Sequence, residues 1–269
     1  MGSPGLQEHK SNSENQPSAL GISNLNDATA KFAHQSLTIL VPLYNEAECL
    51  PKLVEQLNAF LAASPMNTMI LFVNDGSTDN SQELIESIAA QDARYHYLKL
   101  LSNKGLSTAL KAGIDHTKTT LVGYIDADLQ TSPMDFLLLL DHIPQFDLAM
   151  GIRVNRNDGL VKRISSKVAN TVRRLLINDG IADTGCPLKI MKTEIAQAIP
   201  FFSGMHRFIP ALFQLHGGTV KQIPVRHFPR YAGKAKYNLR NRMIKPFFDM
   251  LAFRWMRNRY VHYQIEKSA

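Results

Sequence analysis

Short apolar runs alternate along this chain with longer stretches in which apolar positions recur every three or four residues. The first run is Leu37-Thr38-Ile39-Leu40-Val41, a block of β-branched and aliphatic side chains that predicts a strand. Pro42-Leu43-Tyr44-Asn45 follows, and the spacing then predicts a helix over residues 46–62. The unit recurs three times. Met69 to Val73 precedes a helix over 81–90, Tyr97 to Leu100 precedes one over 106–116, and Leu121 to Ile125 forms a fourth run. Strands that are continuously apolar, rather than apolar on alternate residues, need cover on both faces, so the pattern predicts a parallel sheet flanked by helices. The fold class expected is α/β, Rossmann-like and mostly parallel. After Leu148-Ala149-Met150 the regularity weakens, with a basic helix expected over 160–177 and shorter elements up to Pro224.

Both ends break the pattern. Residues 1–34 are rich in Ser, Asn, Gln and Gly without periodicity, which predicts a disordered tail outside the fold. The expected organisation is therefore a tail over 1–34, one α/β domain over 35–240 and a basic amphipathic helical segment over 241–269. Between Arg226 and Tyr260, ten Lys and Arg face a single acid, Asp249. In that stretch Phe247, Phe248, Met250, Leu251, Phe253, Trp255 and Met256 interleave with Arg254, Arg257 and Arg259, the composition of a helix lying in a membrane interface and equally of a terminal helix packed on a core.

Composition narrows the partners. The 269 residues carry 30 Lys and Arg against 23 Asp and Glu, a net charge of +7 that favours anionic ligands. Only Cys49 and Cys186 are present, far apart and outside any metal-binding spacing, so neither a disulfide framework nor a zinc site is expected. No apolar run approaches the ~20 residues that span a bilayer. These features predict a cytoplasmic chain that meets the membrane peripherally. No DNA- or RNA-binding motif accompanies the basic charge, so nucleic acid is not an expected partner.

In a parallel α/β sheet ligands bind beyond the carboxyl ends of the strands. Three polar stretches occupy those positions: Tyr44-Asn45-Glu46, Asn74-Asp75-Gly76-Ser77-Thr78-Asp79 and Asp126-Ala127-Asp128-Leu129-Gln130. If the last is extended, Asp126, Asp128 and Gln130 present their oxygens to one side, a partial cage for a hard divalent cation whose remaining ligands are water and a diphosphate. The same acids also suit a solvated turn, and Ser77, Thr78 and Asp79 suit a helix cap.

In order and spacing these three stretches, with Val41-Pro42-Leu43 before the first, resemble the family 2 glycosyltransferases of GT-A fold. Gly151-Ile152-Arg153, Arg163 with Ser166, Asn170, Asp183-Thr184-Gly185, Gly204 to Phe208 and Gly233-x-Ala-Lys236-Tyr237 are similar to the branch that glycosylates polyprenyl phosphates. Ala235 stands where that branch carries Ser, and Cys186-Pro187-Leu188-Lys189 replaces its Gly-Phe-Arg stretch. The resemblance implies an inverting, metal-dependent hexosyl transfer from a UDP- or GDP-sugar to undecaprenyl or dolichyl phosphate. It implies that Asp75 and Glu46, with Pro42 and Tyr44 beside them, hold the nucleotide, and that Asp126, Asp128 and Gln130 hold Mg²⁺ or Mn²⁺ and the diphosphate. Arg207 would grip the diphosphate, and Lys236 with Tyr237 would close over the donor. Arg153, Arg163 and Ser166 would receive the acceptor phosphate, and Asp183 is the general base that a hydroxyl acceptor needs. A phosphate acceptor, with its second pKa near about 6, is already anionic at neutral pH and needs positioning more than a base. Many members continue into transmembrane helices, so this chain is expected to act as a peripheral protein or beside a separate membrane-protein partner. The alternatives are transfer to a saccharide of the cell envelope and a non-catalytic nucleotide-sugar sensor.

Overall fold

The computed structural model describes residues 31–154, 173, 176–231 and 239–261, with the backbone alone at 239–244. Seven strands form one sheet: β1 (Ser36–Leu43), β2 (Asn67–Asn74), β3 (Tyr95–Lys99), β4 (Leu121–Tyr124), β5 (Leu148–Arg153), β6 (Lys189–Lys192) and β7 (Val220–Val225). Their spatial order is β3-β2-β1-β4-β6-β5-β7. All pairings are parallel except the two made by β6, to β4 and to β5. The mostly parallel α/β sheet expected from the apolar runs is therefore present.

The sheet is covered on both faces. One core cluster takes Ile39 and Val41 of β1 against α1 (Leu50–Ala63), α2 (Ser81–Gln91) and α4 (Phe136–Leu140). The other takes Leu40 against α3 (Leu106–His116), α5 (Thr193–Ala198), α6 (Ile209–Leu215) and α7 (Leu239–Arg257). In α1 the buried positions Leu50, Leu53, Leu57, Phe60 and Leu61 form one helical stripe. That helix starts four residues later than its apolar spacing suggests. Asn45 turns the chain through a left-handed φ of 51° and residues 47–49 form a turn, and only Pro51, whose fixed φ suits a first helical turn, starts the helix.

One further boundary differs from expectation. Phe32 is buried in the first core cluster, so the folded part reaches into the stretch read as tail. The basic helix expected over 160–177 lies almost wholly outside the described residues.

At the C-terminus, α7 has two unlike faces. Met250 and Phe253 are buried, and Phe253 stacks on Phe208 with ring centroids 5.2 Å apart. On the opposite side Phe248 and Trp255 are 63% and 65% exposed, with Phe247 and Leu251 beside them. The core-packing reading of this stretch thus holds for one face, and the other face is exposed. Among the described residues no helix is long and apolar enough to cross a membrane.

Candidate active site

Chain order runs outward from β1 through β2 to β3 and then returns to the other side of β1 as β4. Such a reversal leaves a crevice beyond the strand ends. A cavity of ≈ 400 Å³ lies there, lined by Pro42, Leu43, Tyr44, Glu46, Asp75, Asn103, Gly105, Leu106, Ala109, Asp126, Ala127, Asp128 and Arg230. The three polar stretches singled out in the sequence open on it together.

Two of the loops are bolted to one another. The Asn45 side-chain carbonyl accepts from the backbone N–H of Thr78 at 2.7 Å and of Asp79 at 3.3 Å, and its amide donates to the Thr78 hydroxyl at 3.1 Å. Asn is among the few side chains that tolerate the left-handed backbone this position needs. In return the Ser77 hydroxyl accepts from Asn45 N–H, the Ser81 hydroxyl from Glu46 N–H, and the Asp79 carboxylate from Ala47 N–H. Burial works to raise the Asp79 pKa, but hydrogen bonds from Ser81 and Ala47 outweigh it and hold the carboxyl below its ordinary value.

Asp75 is 4% exposed and does two things. It lines the cavity, and its two oxygens accept from the backbone N–H of Lys104 and Gly105, each at 2.8 Å. Gly76 permits this by its φ of 71° and by its missing side chain, since a Cβ there would stand 2.7 Å from the Asn103 nitrogen. The 102–105 loop is thereby drawn over the cavity, bringing Asn103 to its wall.

Beyond β4 the acids are not in an extended stretch. Residues 127 and 128 form a turn and Leu129 has a φ of 59°, so the alternation that would place Gln130 beside Asp126 and Asp128 is broken. The Gln130 backbone N–H instead donates to Asp128 at 3.1 Å, and its carbonyl accepts from Phe228 N–H at 2.9 Å. Gln130 does not line the cavity. Asp126 accepts from the Tyr124 hydroxyl, and Asp128 pairs with the Arg230 guanidinium at 2.8 Å. Burial, then the neighbouring charge of Asp128, pushes the Asp126 carboxyl up to about 6. The donor set fits a hard divalent cation: two adjacent carboxylates face the cavity, and one already has a cationic group against it. Among the described residues no three His, Cys, Asp or Glu side chains converge, so a cation here needs oxygens from its own ligand or from water.

Behind the acids lies a buried layer. Lys189 of β6 is 1% exposed, donates to the Cys186 carbonyl and lies 5.5 Å from the Tyr124 ring centroid. Desolvation lowers its pKa. Cys49 and Cys186 are both buried and form no disulfide.

The other expected residues are placed apart from the cavity. Arg153 and Asp183 form a bidentate pair, Nε to Oδ2 and Nη2 to Oδ1 both at 2.8 Å, and Asp183 also accepts from the Arg153 and Gly185 backbones. Arg207 pairs with Asp249 of α7 at 3.3 Å and does not line the cavity. Next to it His206 accepts or donates at Nδ1 to the Ser107 hydroxyl at 2.7 Å, and burial, then the charge of Arg207, lowers its pKa to about 3, which keeps the ring neutral. Arg163, Ser166, Lys236 and Tyr237 lie outside the described residues.

Sequence reasoning passed over Arg230, Asn103, Tyr124 and Lys189. Tyr124 carried a signal, because it precedes Asp126 by two residues at a strand end and so shares its side. Arg230 was hidden among ten basic residues, and nothing local marks Asn103 or Lys189.

The family model of "Glycosyl transferase family 2" matches residues 38–200. The undecaprenyl-phosphate 4-deoxy-4-formamido-L-arabinose transferase of Yersinia pestis (strain Pestoides F) is 31% identical over 221 residues, covering 81% of this chain and 67% of the relative. That of Salmonella enteritidis PT4 (strain P125109) is 30% identical over 220 residues with the same coverage. Among solved structures, glucosyl-3-phosphoglycerate synthase of Mycobacterium tuberculosis in complex with Mn²⁺ and UDP-glucose superposes with a TM-score of 0.66 at 15% identity, over 89% of this chain and 84% of that one. The complex of the same enzyme with Mg²⁺ and UDP gives 0.66 at 16% identity, over 90% and 85%. At such identities the likeness is one of fold.

Proposed function

The chain belongs to glycosyl transferase family 2, and from that premise we propose that it transfers a sugar from a nucleoside-diphosphate donor to the phosphate of a polyprenyl phosphate, with inversion. The observation that carries the acceptor class is the clamp on Asp183. A hydroxyl acceptor needs a base to take its proton. The acid that the family motif offers for that task already accepts a bidentate guanidinium and two backbone N–H groups. A phosphate monoester brings its own anionic oxygen. The names of the relatives, which transfer a sugar to undecaprenyl phosphate, support the same acceptor.

In this reading Asp75 and Glu46, with Pro42 and Tyr44, face the nucleoside, and Asp126 and Asp128 would hold Mg²⁺ or Mn²⁺ beside the diphosphate. Bound there, the cation supplies neutralisation of the charge that develops on the leaving diphosphate. Tyr124 fixes the orientation of Asp126 by its hydrogen bond, and the buried Lys189 adds positive charge near that carboxylate. Arg153 stands where an acceptor phosphate competes with Asp183 for the guanidinium, whose fork suits either anion. The exposed aromatic face of α7, with Arg254 and Arg259 on the same helix or just beyond it, supports peripheral attachment to the membrane that holds the lipid.

The test is nucleoside-diphosphate release from a panel of UDP- and GDP-sugars with Mn²⁺, with and without undecaprenyl phosphate. Release is expected to require the lipid and to fall by about 10³-fold or more in Asp128→Ala. Stimulation by a saccharide and not by the lipid would replace the acceptor, and unaltered release by Asp128→Ala would overturn the cation site.

A further inference from the structure

The stretch that leaves β7 runs as a strap across the acidic turn after β4. At its near end Arg226 grips Asp135 through its backbone N–H at 3.0 Å and its guanidinium at 2.7 Å. In the middle, His227 Nδ1 and Phe228 N–H both meet the Gln130 carbonyl, at 3.1 and 2.9 Å. At its far end Arg230 reaches into the cavity and pairs with Asp128 Oδ2 at 2.8 Å. The first two anchors involve residues outside the cavity lining. Only the last occupies a carboxylate oxygen that a cation would use.

A guanidinium and a divalent cation drawn to one carboxylate oxygen repel each other, so each weakens the other's hold where water is partly excluded. The Arg230 side chain is 32% exposed and that of Asp128 11%, so screening only partly relieves the conflict. The cation therefore binds best when Arg230 moves off Asp128, and moving off strands its charge unless another anion takes it. The diphosphate of the donor is such an anion, and guanidinium matches its oxygens in bidentate geometry.

We propose that Arg230 is a built-in competitor for the cation site, which makes cation binding depend on the nucleotide: the free cation is resisted, and the cation together with a diphosphate is admitted by exchange of partners. Asp128 exchanges Arg230 for the cation while Arg230 exchanges Asp128 for the diphosphate. Because coupling between two ligands is reciprocal, the same arrangement makes the nucleotide bind more tightly when the cation is present. Arg230 acts here as a positioning residue. The inference rests on Asp126 and Asp128 being the cation ligands and is independent of the acceptor.

Titration calorimetry with Mn²⁺ alone, and with Mn²⁺ in the presence of whichever of UDP or GDP binds more tightly, tests it in the wild-type chain, Arg230→Met, Arg230→Lys and Asp128→Ala. Arg230→Met is expected to bind Mn²⁺ alone about five- to tenfold more tightly than wild type, the scale of one partly buried ion pair. Its cooperativity between Mn²⁺ and nucleotide should shrink, and Arg230→Lys, which keeps the charge, should fall between the two. Equal Mn²⁺ affinity in wild type, Arg230→Met and Arg230→Lys overturns the proposal while leaving the cation site in place. Unchanged Mn²⁺ binding by Asp128→Ala would instead remove the cation site itself.

Discussion

The two ends of the site are held by different forces. In the loops after β1 and β2 most joints are hydrogen bonds between uncharged groups, with Asn45, Ser77, Thr78 and Ser81 each spanning from one loop to the other, while the Asp79 carboxylate accepts from Ala47 N–H. Around the acids beyond β4 and in the layer outside the cavity the joints are ion pairs: Arg230 with Asp128, Arg153 with Asp183, and Arg207 with Asp249. Neutral hydrogen bonds to backbone N–H groups are indifferent to the charge of a ligand and keep the donor pocket in one shape. Ion pairs can be opened by an incoming anion or cation that offers either partner a better match. The loops after β1 and β2 are thus preorganised, and the ion-paired groups are poised to exchange partners with charged ligands.

Helix α7 provides the largest contrast. Phe253→Ala removes a 1% exposed ring stacked on Phe208 and should cost about 3–4 kcal/mol, lowering the Tm by roughly 10 °C in a thermal melt. The double variant Phe248→Ser/Trp255→Ser, on the exposed face, should change stability by no more than about 0.5 kcal/mol. It should nonetheless reduce partition onto vesicles containing anionic phospholipid about tenfold or more. Vesicle binding equal to wild type would assign the aromatic face to something other than a membrane.

A smaller effect probes the donor end. Asn45→Ala deletes two accepted hydrogen bonds and one donated one, and leaves Ala at a φ of 51°. The expected cost is about 2–3 kcal/mol, with nucleotide affinity falling because the two loops separate. A melt unchanged within 1–2 °C, as about 0.5 kcal/mol would give, would show that the bolt contributes little.

The smallest expected effect depends on pH. The Asp126 carboxyl is raised to about 6 by burial and by Asp128, so in the cation-free protein the folded state takes up a proton more readily than the unfolded chain does. This group therefore favours the fold at pH 5 relative to pH 7, and that contribution is lost as pH rises through 6. Cation binding has the opposite dependence, since the protonated acid is a poor ligand. Mn²⁺ affinity measured by calorimetry should weaken by up to about tenfold per pH unit below 6. An affinity flat from pH 7 to 5 would show that Asp126 either is not a ligand or does not titrate in that range.

Much of this arrangement was legible before any coordinates. The βα units and the three polar stretches follow from periodicity and from the rule that sites lie beyond strand ends, and Asp126, Asp128, Asp75 and Glu46 do share one cavity. What failed was geometry over single residues. Gln130 was expected beside the two acids on the premise of an extended chain, and one left-handed residue, Leu129, is enough to turn it away. Phe32 was assigned to a polar tail because an isolated aromatic carries no period, yet it finds a place in the core.

The sequence by itself determined the α/β layering and which loops carry the chemistry, because side-chain period and loop polarity are properties of neighbours along the chain. Only the tertiary structure decided which charged group each acid would take: Asp183 binds Arg153, Asp249 binds Arg207, and Asp128 binds Arg230. Such a choice depends on distance through space and on how much water remains between the partners, and neither quantity is written in the spacing of residues along the chain.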